Sequence, residues 1–362
     1  MAYTSLSLTN FRSYRDHMVH FSPSVTIIVG PNGSGKTNLL EALYVLSQGS
    51  SFRVSDKDLI HHDATWFRLE GMHGDQRRIL TYSTPKIPAK QFSIDGIKKQ
   101  RLNYQQKVPV VLFEPNELRM LSGSPQRRRD YLDTLISRLW MDGGPRRSRF
   151  ERALLQRNNI IKQAHEQPLG ALEDQLFVWD IKLAEYAAAL VGYRLQLVAE
   201  WNARLSELYS AIAATPSTVT VQYKTESQTE NYKASLLKHL AARRGSDIVR
   251  GFTSVGPHRD DITILLNGVD AAVSASRGEL RTLILALKII ELTILNNVSD
   301  RRPLLLLDDV FSELDARRRQ ALAELARDFQ TVITTTDADI VSGYFAKDYH
   351  MIDATSKVDH LA

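Results

Sequence analysis

The 362-residue sequence predicts an α/β fold of mixed sheets flanked by helices, with a helical arm inserted between two halves of a head. Three observations predict it. An apolar run, a glycine-rich loop and a helix follow one another near the start. Four leucines run into two carboxylates at Asp308 and Asp309 far along the chain. Between them, from about residue 116 to 215, the apolar residues step at helical spacing.

Residues 3–9 and 68–83 alternate or carry β-rich runs and predict strands. Val25-Thr26-Ile27-Ile28-Val29 is β-branched and apolar throughout, as a buried parallel strand is. Gly30-Pro31-Asn32-Gly33-Ser34-Gly35-Lys36-Thr37 follows it and fits the phosphate-loop pattern at every fixed position. Its glycines let the backbone wrap a phosphate chain, and the start of the following helix adds partial positive charge. Lys36 can reach the β- and γ-phosphates of a nucleotide, and the Thr37 hydroxyl can ligate Mg²⁺. Asn38 opens the helix Asn38–Leu46 and joins the nucleotide-binding set. Within that helix Leu43, Tyr44 and Leu46 read as core. Val110–Phe113 is a further apolar strand.

The arm carries one long stripe, Ala187, Val191, Leu195, Val198, Trp201, Leu205, Leu208 and Ile212. It is too short and irregular for an extended coiled coil, so a hairpin or bundle is expected. Val219, Val221 and Tyr223 alternate as a strand leading back to the head. Ile262–Leu266 is another strand, and a strongly apolar helix follows Ser276-Arg277-Gly278-Glu279. Leu304–Leu307 predicts a central strand that delivers acids to its C-terminal end, where ligands bind in open α/β sheets. Asp308 would hold Mg²⁺, and Asp309 would orient or deprotonate the attacking water. Thr331–Thr335 is the expected closing strand, and the tail beyond Asp353 is polar and expected to fray. The expected division is 1–115, an N-terminal head lobe; 116–250, the arm; and 251–362, a C-terminal head lobe.

Phosphate loop, Ser-Arg-Gly-Glu turn at 276–279, Leu-Leu-Leu-Leu-Asp-Asp strand and the Ser-Glu-Leu-Asp turn at 312–315, in that order, resemble the ATP-binding-cassette head ATPases. More closely they resemble the RecF family of bacterial recombination-repair proteins. Leu8–Tyr14, Val110–Pro115, Gly123–Arg129 and Gly256–Asp261 extend the resemblance, which runs from about residue 3 to about residue 340. It implies a composite site, in which ATP bound to one subunit is capped by the signature turn of a second. Ser276 and Gly278 would then donate to the γ-phosphate across a dimer interface, and Asp315 would line it. The resemblance also implies that Arg12 touches nucleotide phosphate and that Arg53 resembles a DNA-sensing arginine, with a plain surface arginine as the alternative. Transporter cassettes carry Gln where Glu279 stands and Glu where Asp309 stands. The shorter Asp suggests slow hydrolysis. No histidine follows Thr331–Thr336, so Thr336 or Asp337 would take the cassette switch position.

The implied function is a weak DNA-dependent ATPase of recombinational repair. An ATP-dependent homodimer would clamp single-stranded or gapped duplex DNA, without sequence preference. It would help to load recombinase beside a RecR-like mediator, supporting replication restart and the SOS response. The alternatives are the nucleotide-binding subunit of a transporter, or a short chromosome-organising ATPase acting through a protein partner.

Composition fits the reading. The chain has 43% hydrophobic and 24% charged residues, as ordinary globular proteins do. It has no cysteine, which excludes disulfides and thiol chemistry. It shows no apolar run of membrane-spanning length and no leader is expected, so a cytoplasmic protein with no membrane contact is predicted. The net charge is +5, yet the segment Arg119–Lys162 alone has eleven basic residues against Asp130, Asp133, Asp142 and Glu151. Such a field attracts a phosphate backbone, unless ion pairs within the arm consume it. No aromatic ladder interleaves these arginines, so backbone contact rather than base stacking is expected. His61-His62-Asp63 could ligate a metal, but adjacent histidines are expected to point to different sides.

Overall fold

The computed structural model describes residues 1–84, 88–114, 117–164, 169–299, 301–345 and 348–355. Pro115 of the apolar segment and the tail from 356 onward lie outside the described residues. The chain divides into two compact units, Met1–Glu117 with Glu291–Ala362, and Leu118–Ile290.

The first unit opens with β1 (Tyr3–Phe11), β2 (Tyr14–His20), β3 (Val25–Val29), α1 (Lys36–Gln48), β4 (Trp66–His73), β5 (Gln76–Ser83), β6 (Ala89–Ile94), β7 (Ile97–Lys99) and β8 (Val110–Phe113). The second holds α2 (Leu118–Ser122), α3 (Pro125–Leu139), α4 (Gly143–Lys162), α5 (Leu169–Ala213), β9 (Val219–Lys224), α6 (Tyr232–Arg250), β10 (Asp261–Leu266), β11 (Val269–Asp270), α7 (Ala271–Ser274) and most of α8 (Arg277–Val298). The first unit closes with β12 (Leu304–Asp308), α9 (Val310–Glu313), α10 (Ala316–Arg327), β13 (Thr331–Thr335), α11 (Ala338–Ser342) and β14 (Tyr349–Asp353).

Two sheets make the first unit. One is antiparallel, in the order β2-β1-β4-β5-β6-β7, and alternates buried with half-buried residues, as in β4 and β5. The other is parallel, in the order β14-β3-β13-β12-β8. Its inner strands β12 and β13 are buried at every position, which suits the leucine run of β12 and the β-branched Thr-Val-Ile-Thr-Thr of β13. Helix α1 contacts strands of both sheets, and Leu39, Leu40, Leu43, Val45 and Leu46 join Leu6, Leu69, Leu306 and Val332 in one core. Each fully buried leucine contributes roughly 1.5–3 kcal/mol, so α1 is pinned by packing on nearly every side. One expectation is corrected here. Thr331–Thr335 does not close the sheet but sits inside it, between β3 and β12. The edges are β8 and β14, the latter on the far side of β3. Its sequence Tyr-His-Met-Ile-Asp is exposed on most positions and lacks the apolar signal of a central strand.

In the second unit, α4 and α6 pack on the 45-residue α5, which at 1.5 Å per residue is about 68 Å long. Ala187, Val191, Trp201 and Leu205 of the predicted stripe are buried; Leu208 is half-buried, and Tyr209 beside it is buried instead. A three-stranded sheet, β11-β10-β9, lies against α5 and α3.

Candidate functional site

The glycine loop joins the C-terminal end of β3 to α1 in the first unit. Gly33 and Gly35 have φ of 82° and 96°, the left-handed region open to glycine. A Cβ on Gly35 would stand 2.6 Å from Tyr14 Oη and 2.9 Å from Ser13 Oγ, so neither backbone nor space admits another residue. Gly30 is as tight, with Ser34 Oγ 2.6 Å from its imagined Cβ. The Ser34 hydroxyl is buried and makes no hydrogen bond. Lys36 donates to Gly30 O at 2.7 Å and Pro31 O at 2.9 Å, folding back over its own loop. Burial pushes the Lys36 ammonium below its ordinary pKa, and the carboxylates of Asp309 and Asp308 oppose that shift. The Asn38 amide donates to Ser13 Oγ at 2.9 Å, tying α1 to the β1–β2 turn.

Parallel pairing brings the distant acids here. Asp308 ends β12 beside Thr334 of β13. Asp308 Oδ1 accepts from the Thr37 hydroxyl at 2.8 Å and from the Thr334 hydroxyl at 2.8 Å. Asp309 departs from the strand in a left-handed conformation, φ 52°, uncommon outside glycine, asparagine and aspartate. Its amide donates to Thr334 Oγ1 at 3.0 Å, so one threonine orients both acids. The Ser312 hydroxyl donates to Asp309 Oδ1 at 3.1 Å.

Three contributors were not placed beside Asp308 from sequence. The Arg53 guanidinium donates to Asp308 Oδ2 at 2.6 Å and to Glu114 Oε1 at 3.2 Å. Arg53 is therefore neither free nor a plain surface arginine in this structure. Thr334 could have been found by asking which residue lies opposite Asp308 on a parallel neighbour. Arg53 and Glu114 left no such signal. Arg12, also left-handed at φ 54°, is held by the fully buried Glu41, at 2.8 Å from Nε and 3.1 Å from Nη2.

The remaining predicted residues lie elsewhere. Asp315 caps α10, accepting from Arg318 N at 3.0 Å. Asp337 caps α11, accepting from Asp339 N at 3.0 Å. Ser276 and Gly278 stand at the start of α8 in the second unit. His61 and His62 are corrected. They sit in a turn, where strand alternation does not apply, and their rings lie 4.2 Å apart. With Asp63 their ligand atoms lie within 4.8 Å of one another, although Arg15 already pairs with the Asp63 carboxylate.

The charge run divides between the two readings the sequence left open. Arg128 binds Asp261 through two nitrogens, at 2.8 and 2.6 Å. Arg146 pairs with Asp142, Arg147 with Glu151, and the fully buried Arg157 with Asp180 and Asp247. The run is thus not one open field. Arg127, Arg149 and Lys162 are exposed and have no ion pair among the described residues.

The residues fit a nucleotide polyphosphate with Mg²⁺. The cradle is one that a Cβ would fill, an orphaned buried hydroxyl lines it, and Thr37 and Asp308 are the hard oxygen donors Mg²⁺ takes. Thr37, Asp308 and Lys36 would hold the group, which when bound supplies an activated terminal phosphate.

Comparison with known proteins agrees. Residues 3–358 match the model of the RecF/RecN/SMC N-terminal domain. The DNA replication and repair protein RecF of Clostridium perfringens is 32% identical over 360 residues, covering 98% of this chain and 96% of the relative. The solved structure of the recombination mediator protein RecF–ATPrS in the RecFOR pathway is 30% identical, with a TM-score of 0.86 over 98% of this chain and 96% of that one. An SMC head bound to the C-terminal winged-helix domain of ScpA, 14% identical with a TM-score of 0.53 over 94% of this chain and 91% of that one, shares the fold.

Proposed function

This chain belongs to the RecF family of DNA replication and repair proteins, and from that premise we propose that it is a slow, DNA-dependent ATPase that clamps DNA as an ATP-driven head-to-head dimer. One observation carries the nucleotide half of the reading. Thr37 and Asp308, 271 positions apart, meet at 2.8 Å beside a glycine cradle lined by Lys36 and Ser34. Gly30–Asn38 wrap the phosphates of ATP, and Thr37 and Asp308 hold Mg²⁺. Asp309, fixed by Thr334 and Ser312, orients the attacking water. The similarity to the RecF–ATPrS structure supports ATP as the nucleotide.

The composite-site half rests on family resemblance. Ser276, Gly278 and Asp315 of one protomer cap the nucleotide of the other, and hydrolysis opens the clamp. Arg12 first has to leave Glu41 to reach a phosphate. Arg127, Arg149 and Lys162 supply salt-sensitive backbone contacts to gapped or single-stranded DNA. A RecR-like mediator is the partner, recombinase loading the outcome, and the cytoplasm the place of action. Among the described residues no helix is long and apolar enough to cross a membrane.

Sedimentation with and without ATP and gapped DNA tests this. Wild type is expected to become dimeric with ATP and to remain on DNA. Ser276→Arg is expected to bind ATP with near-normal affinity yet stay monomeric. Normal dimerisation of that variant would remove the signature turn from the interface and overturn the clamp.

A further inference from the structure

Ser276 is already fully engaged within its own protomer. Its hydroxyl donates to Glu279 Oε2 at 2.7 Å, and its backbone N–H donates to the same oxygen at 2.8 Å. The Glu279 N–H returns a bond to Ser276 Oγ at 3.3 Å. This is a reciprocal capping box, and it starts a 22-residue helix. Its acceptor is a carboxylate, and those two donors from Ser276 hold it below its ordinary pKa. The box is therefore stable as local structure and also charged.

We propose that Glu279 is a positioning residue that sets the affinity of head closure, by holding with a negative oxygen the two donors that the partner's terminal phosphate would take. This rests on the reading that Ser276 faces the partner's nucleotide. A phosphate and a carboxylate cannot share the same N–H and O–H. The carboxylate must swing away and forfeit the cap, or stay and repel the incoming anion. Either route weakens closure. Arg277, the next residue, is exposed and has no ion pair with Glu279 or any other acid among the described residues, so the Glu279 charge is not neutralised locally. The dimer is thereby kept weak enough to reopen, and Glu279 rather than Ser276 is the residue that tunes it.

The test is sedimentation of the full chain with Mg²⁺ and ATPγS, comparing wild type with Glu279→Gln and Glu279→Ala. Gln keeps an acceptor for the cap and removes only the charge. Glu279→Gln is expected to lower the dimer dissociation constant at least tenfold at low salt. The gap is expected to narrow at 0.5 M salt, because the lost repulsion is screened there. A purely structural role would not move with salt in this way. Glu279→Ala loses the cap as well, and circular dichroism measures what the helix gives up. If Glu279→Gln dimerises as wild type does or more weakly, the proposal falls while head closure stands. If wild type binds ATPγS but does not dimerise, head closure itself falls and the proposal with it.

Discussion

Arg53→Gln removes the only charged partner of Asp308 Oδ2 among the described residues. Both threonine hydroxyls, from Thr37 and Thr334, go to Oδ1, so Oδ2 depends on the guanidinium at 2.6 Å. The Asp308 side chain is 5% exposed and that of Arg53 34%, so the pair lies between two regimes. Breaking a buried pair costs about 3–5 kcal/mol, and an exposed pair about 0–1 kcal/mol. One buried end and one partly solvated end put the loss at about 2 kcal/mol. For a unit of this size that is a fall in Tm of about 4–8 °C. Scanning calorimetry in EDTA measures it. Arg53→Lys keeps the charge but not the second bond to Glu114, and is expected to fall by less. Millimolar Mg²⁺ is expected to restore part of the loss in Arg53→Gln, because Asp308 and Thr37 are then free to bind it. It is expected to restore nothing in Arg53→Gln/Asp308→Asn. An unchanged Tm, or equal Mg²⁺ responses in wild type and Arg53→Gln, would refute the argument that Arg53 balances this carboxylate.

Three further outcomes are expected. Lys36→Ala should weaken ATP binding by about 100-fold, the worth of one charge-assisted contact of 2–3 kcal/mol, and calorimetric titration gives the value directly. Asp309→Asn should still bind ATP and dimerise but hydrolyse about 10²-fold more slowly, and stay longer on DNA; unchanged turnover moves the water-activating role to another residue. His73, 2% exposed, is pushed down to about 4, first by burial and then by Arg78. The unfolded chain takes up that proton near pH 6.5 and the folded chain does not until about pH 4. Stability is therefore complete above pH 6.5 and falls by about 3 kcal/mol as the pH drops to 4. Denaturation by urea at pH 7.5, 5.5 and 4.5 should show a shallower decline in His73→Gln, and an identical decline would exclude His73 as its source.

Much of the site could be read from the sequence because its signals are local. The loop's glycines, the strand before it and the helix after it are consecutive, and the apolar run into Asp308 needs no partner to be recognised. What escaped depends on pairs that folding creates. Arg53 and Asp308 are 255 positions apart, and Arg128 and Asp261 are 133 apart. Nothing in either arginine's neighbourhood announces a partner. A count of charges therefore overstated the arm's open basic surface. The edge strand β14 was missed for the opposite reason. Its local signal is weak, and it is a strand because β3 offers it an unpaired side. Ser276 was singled out as a donor, but the sequence Ser-Arg-Gly-Glu also spells a capping box, and only the contacts showed the donors already taken.

The order of strands has a consequence for synthesis. Among the described residues β3, which carries the phosphate loop, pairs with β13 and β14 alone, and β8 with β12 alone. A ribosome making this chain releases β3 about 300 residues before its first sheet neighbour. At 5–20 residues per second that is roughly 15–60 s. Throughout that interval the nascent loop can lean on the antiparallel sheet through α1, but β3 has no neighbouring strand. The insert Leu118–Ile290 emerges meanwhile, with its own core to condense around. The ability to grip nucleotide is thus acquired late, as the final segments add their strands. A polypeptide cut short before Thr331 keeps every phosphate-loop residue and both acids, yet lacks β13, the strand that joins β3 to β12, and with it Thr334.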